Sequence, residues 1–200
     1  MQSQNEYIGD DNFKKFLEHY HCKTPIDVVK MRFAGAICSP NPNLRPTDVI
    51  SSFWPENQSP RLETKKEAEL FFKFFMGLWD KIFEEIGFNS FKWPDLRADS
   101  IEQKASLRYE TLEFGFLEGF WGGLNDLKIP SYVADVIDSL SSLAGVYRIL
   151  EERAQKGEKE DVLSKTLQDT DKMVQKALSF IVENFALPKI KAIGDKALMQ

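Results

Sequence analysis

Apolar residues in this chain recur at intervals of three and four, the spacing of a helix face, and almost no stretch alternates as a strand would. In residues 12–20, Phe13, Phe16, Leu17 and Tyr20 fall on one face, with Asp10 or Asp11 placed to cap it. The next segment, TPIDVVKMRFAGAICS, offers Thr24 as N-cap, Pro25 at the first helical position and Asp27 in the first turn. Residues 39–60 hold five prolines and predict a loop with one short helix opening at Pro46 and stopping before Pro55. In ETKKEAELFFKFFMGLWDKIFEEIGF, Thr64 and Glu67 stand in capping-box spacing and Gly87 closes the run. Phe71, Phe75, Leu78, Ile82 and Ile86 form one stripe of this helix and Phe72, Met76, Trp79 and Phe83 a second. Only Lys73, Gly77, Asp80 and Glu84 make a polar line, so the helix is expected at the centre of its fold.

After a linker over residues 88–99, Ser100 and Gln103 open a helix reaching about Gly123. Pro130 opens another that ends near Gly157, and a last amphipathic run reaches Pro188, beyond which residues 188–200 add a short helix or fray. The pattern predicts one all-α domain over residues 1–200, a bundle of about six or seven helices with a proline-rich loop after the second.

Composition agrees: 42% hydrophobic and 28% charged residues over 200 positions describe a globular chain, and 16 Phe against 5 Tyr predict a core rich in ring packing. The formal net charge of -5 disfavours direct binding of nucleic acid or anionic membrane. The most apolar windows, LFFKFFMGLW and FGFLEGFWGGL, are broken by Lys73 and Glu118 and fall short of the roughly 20 residues a bilayer requires. The start, MQSQNEYIGDD, lacks the basic and apolar regions of an export signal, so the expected location is cytoplasmic, with Cys22 and Cys38 as buried thiols.

The stretch EFGFLEGFWGGLND sets Gly115, Gly119 and Gly123 four residues apart, on one narrow line of a helix. Each interior glycine costs a helix about 1 kcal/mol relative to alanine, and close approach of a second helix can offset that through dispersion. Ala34, Gly35 and Ala36, or Ala144 and Gly145, supply small residues for such a crossing, whereas Gly77 lies on a polar line. These glycines close a long helix with no strand before them, which makes a phosphate loop the weaker reading. Glu118 falls on a line with Lys104 and Thr111, read as a solvated stripe, with a buried functional acid as the alternative.

Imidazole and thiol groups cluster at His19, His21 and Cys22, with Cys38 one helix away. These are zinc-ligand types, but the cluster sits at a helix end instead of on paired turns, so the histidines are expected to cover the end of the first helix. Nucleophile-elbow, Walker, zinc-protease and dinucleotide fingerprints are all missing, and the chain offers no catalytic residue and implies no cofactor. Phe53, Trp54, Phe91 and Trp93 stand on proline-flanked linkers, where rings serve either as packed lids or as anchors for a partner protein.

The run TPIDVVKMRFAGAICSPN resembles the N-terminal signature of the YecA/YgfB family of small bacterial proteins. The proline-rich loop with Trp54, the acidic helix start ETKKEAEL and FGFLEGFWGGL are similar to that family's pattern. The resemblance implies an all-helical cytoplasmic protein of uncertain biochemical role with no catalytic residues to carry over. Some relatives add a C-terminal zinc segment of SecA type; no Cys or His follows Cys38, so that function is not expected here. The expected role is a non-enzymatic protein-interaction or regulatory module binding another protein, with self-association through the glycine groove left open. The alternative is an enzyme or metal protein of unrecognised type using Glu118 or His19, His21 and Cys22. If the glycine line is a crossing, Gly119→Leu lowers stability by several kcal/mol in thermal melts through overpacking, while Glu118→Gln changes little.

Overall fold

The computed structural model describes residues 6–55, 58–124 and 127–198. Seven continuous helices carry them: α1 (Asp10–His19), α2 (Ile26–Cys38), α3 (Pro46–Ser51), α4 (Lys65–Gly87), a fifth helix, α7 (Ser131–Gln155) and a seventh. The fifth comprises α5 (Ile101–Glu110), a π-helical stretch π1 (Thr111–Leu117) and α6 (Glu118–Trp121). The seventh comprises α8 (Glu160–Ile181), a second π-helical stretch π2 (Val182–Ala186) and α9 (Leu187–Leu198). Among the described residues there is no strand, and the proline-rich loop follows α2 as the hydrophobic pattern predicts.

Local chemistry sets some of the boundaries. The Glu67 N–H donates to Thr64 Oγ1 at 3.1 Å, and the Gln103 N–H donates to Ser100 Oγ at 3.1 Å, each satisfying a helix-start donor that would otherwise lack a partner. Thr24 behaves differently from expectation. Pro25 takes the cap position, and the Thr24 hydroxyl donates to the Phe53 carbonyl at 3.1 Å, tying the start of α2 to the loop after α3.

The centre of the bundle is α2, not α4. Eleven of the 13 residues of α2 are buried, and it packs against π1 and α6 on one side and α4 on another, while α5, α7 and α8 form the adjoining layer. Helix α4 buries only its first stripe, with Phe71, Phe75 and Ile82 inside, and leaves Phe72 39% and Phe83 41% exposed. The small residues of α2 let its neighbours approach closely, so it takes the middle position and α4 closes one edge. The polar line of α4 is itself partly covered: a Cβ on Gly77 would lie 2.8 Å from the Glu6 carbonyl oxygen, where the N-terminal segment crosses the helix.

The chain continues in helix through Pro188 instead of stopping there. Proline cannot donate to the residue one turn before it; π2 lies immediately upstream, and the Asn184 carbonyl, four residues before the ring, accepts from the Tyr132 hydroxyl at 3.4 Å. Of the short helix or fraying expected over 188–200, the helix is what forms, as far as Leu198; Met199 and Gln200 lie outside the described residues. Among the described residues no helix is long and apolar enough to cross a membrane.

Gly145, one of the small residues considered for the crossing, sits mid-helix in α7 with no atom within 4 Å of an added Cβ. Gly145→Ala is expected to raise stability by about 0.5–1 kcal/mol, measured by denaturant unfolding, because it relieves a helix-interior glycine without creating a clash.

Candidate functional site

The backbones of α2 and the π1–α6 segment meet with no side chain between them. A Cβ added to Gly35 would overlap the Phe116 carbonyl and lie 2.7 Å from the Phe120 nitrogen. Added to Gly119 it would overlap the Arg32 carbonyl, and added to Gly115 it would lie 2.8 Å from Met31 Cβ. Glycines from both helices thus clear the same crossing, and the partner is the Ala34–Gly35–Ala36 helix. Gly123 does not belong to it. The helix ends at Trp121, Gly122 turns left-handed at φ 55°, and Gly123 follows at φ 77° with open space around it. Gly123 serves as a turn residue, because only residues still in helical geometry keep the i, i+4 line.

Arg32, in the middle of α2 and only 7% exposed, fastens the crossing. Its Nε donates to the Phe114 carbonyl at 2.9 Å, one NH group to the Ser52 carbonyl at 2.9 Å and Ser52 Oγ at 3.0 Å, and the other to Glu118 Oε2 at 2.8 Å. A shift from i→i+4 to i→i+5 bonding frees a carbonyl at the junction, and Phe114 in π1 is where Arg32 supplies a donor. Burial lowers the Arg32 pKa from its ordinary value, and the Glu118 charge works against that. Glu118, its side chain 48% exposed, stands at the solvated surface as expected, is not a buried acid, and is in addition the counter-ion of a buried arginine.

Of the linker aromatics, for which lid and anchor were both open, Phe53, Trp54 and Trp93 pack inward as lids. Phe53 is 3% and Trp54 7% exposed; Phe53 stacks on Phe75 with centroids 5.8 Å apart, and Trp54 Nε1 donates to the Tyr20 carbonyl at 2.9 Å. Trp93, 9% exposed, lies under the Arg108 guanidinium at 4.9 Å, and Phe91 is half-buried against the core. Prolines on these linkers turn the rings inward, because rings of this size gain more from the core than from water.

No three of His, Cys, Asp and Glu are grouped to hold a metal ion among the described residues. Cys22 Sγ lies 3.7 Å from the Phe53 carbonyl, and the His19 ring packs edge-on against Tyr20, so the His19, His21 and Cys22 cluster is not convergent. Both cysteines are free thiols, and burial raises the Cys38 thiol to about 12.

Two of the open surfaces set exposed rings beside a hollow. On the α4 edge, Trp79 and Phe83 form a hollow of about 340 Å³ with Pro40, Pro42, Leu44 and Ile190. On the other side of the bundle, Phe114 stands 46% exposed on π1, between hollows of about 340 and 410 Å³. Glu110 lines the first of these, and burial, then the Glu151 charge, raises its carboxyl pKa. Comparison of the chain with protein-family models, with curated proteins and with solved structures found no match.

Replacing Arg32 tests its role at the crossing. Arg32→Met is expected to cost about 2–3 kcal/mol in urea unfolding, since it removes the donor to the partly buried Phe114 and Ser52 carbonyls together with the ion pair to Glu118. Glu118→Gln, at a half-exposed and solvent-screened position, costs under about 1 kcal/mol.

Proposed function

We propose that this chain is a non-enzymatic helical module that binds another protein through the outer stripe of α4 and the proline-rich loop beside it. The observation that carries the reading is the uncovered stripe itself. Phe72, Met76, Trp79 and Phe83 are spaced i, i+4, i+7 and i+11, and they are exposed or half-buried where a helix of this composition ordinarily finds a neighbour. The hollow at its end, with Pro40 and Pro42 in its wall, has a stiff rim, so a partner meets a surface that needs little ordering. The fitting occupant is an amphipathic helix of the partner, whose apolar residues at three- and four-residue intervals match the ridge of α4. The resemblance to the YecA/YgfB family belongs to the same proposal, as does a regulatory role in a bacterial cytoplasm.

Substitution at exposed rings separates binding from folding. In co-purification from the native host, Phe72→Lys with Phe83→Lys is expected to remove the captured partner while the melting temperature stays within a few degrees of the wild type. An undiminished partner would contradict the reading. A concentration-dependent dimer in sedimentation, abolished by the same pair, would assign the face to a second copy instead.

A further inference from the structure

The π-helical turn carries a second groove, separate from the α4 face. It holds about 410 Å³ between π1, α6 and α7, and its floor is apolar: Leu117 and Ile137 are buried there and Trp121 is half-buried beside them. Phe114, 46% exposed, forms one wall. The charged residues along the rim are Glu113, Glu118 and Asp138; among the described residues no lysine or arginine lines it.

Charge and shape together select the occupant. Among the described residues no three carboxylates or other ligands are grouped for a metal ion, so separated negative rim charges answer to an extended cation. An arginine side chain has that form. Its methylene stem covers Leu117 and Ile137, its guanidinium faces the rings of Phe114 and Trp121, and its donors reach the carboxylates. We infer that this groove docks a basic, partly apolar segment of a protein partner, with an arginine seated between Phe114 and Trp121. The chain's net charge of -5 favours the approach of such a segment. Glu118 already pairs with Arg32, so Glu113 and Asp138 are the carboxylates free to change without disturbing the crossing.

A fluorescein-labelled six-residue peptide of alternating leucine and arginine is the probe, followed by anisotropy and by the Trp121 indole resonance, assigned through Trp121→Phe. The arginine peptide is expected to bind the full chain and shift that resonance. Its citrulline counterpart, equal in shape but uncharged, binds at least about tenfold more weakly, as does the arginine peptide to Glu113→Gln with Asp138→Asn. A charge-matched control far from the groove, Glu160→Gln with Asp161→Asn, leaves binding unchanged. Equal weakening by the rim and control variants, equal binding of the citrulline peptide, an unmoved Trp121 resonance or no binding would each overturn the inference. Should the rim variant fail to fold, the wild-type Trp121 shift and the citrulline comparison decide. Failure here leaves the α4 reading standing, because the two surfaces share no residue.

Discussion

Close approach of α2 to the π1–α6 segment is the constraint on which the other contacts depend. With glycine at 35, 115 and 119, the two backbones meet directly, and any side chain at these positions overlaps main-chain atoms or Met31 Cβ across the crossing. Helix α2 thereby becomes the axis of the bundle and carries Arg32 into the interior. The guanidinium is held there by carbonyl and hydroxyl acceptors and by one half-exposed carboxylate. The α4 helix then packs chiefly by its first stripe; of the second, Trp79 sets its ring against Phe33 while Phe72 and Phe83 stay at the surface. The open face and the buried crossing are two consequences of one packing choice.

A second buried arginine fastens the adjoining layer. Arg108, 3% exposed, pairs with Asp171 at 2.8 Å and stacks on Trp93, while the Tyr147 hydroxyl donates to the same carboxylate at 2.6 Å. Burial, then the hydrogen bond to Asp171, raises the Tyr147 pKa. The linker over residues 88–99 is thus clamped to α5 and α8 through its tryptophan. At the far end of α2, Lys189 donates to the carbonyls of Ile37 at 3.0 Å and of Ser39, satisfying acceptors that a helix end leaves open. At each of these three junctions a cation is set on backbone or carboxylate oxygens.

The parts of this arrangement that depend on near neighbours in sequence were legible there. Thr64 and Ser100 cap as their spacing predicts, and the four-residue interval of Gly115 and Gly119 identifies a smooth helix face. Gly123 was misplaced because a turn glycine and a helix glycine look the same in sequence. The π insertion leaves no periodic mark within a segment that is apolar on several sides. Hydrophobicity also cannot tell a core stripe from an exposed one, which is why α4 reads as central in sequence. Arg32 was the missed residue. A cation between Met31 and Phe33 in a helix apolar on most sides was the available signal, but its acceptors lie 20 to 86 residues away.

Native-state hydrogen exchange followed residue by residue tests the central claim most directly. If the glycine crossing holds the fold together, the amides of α2 and those of π1 and α6 exchange only through one shared opening, with the free energy of global unfolding. Exchange of the π1 and α6 amides at local-fluctuation rates while α2 remained protected would contradict it.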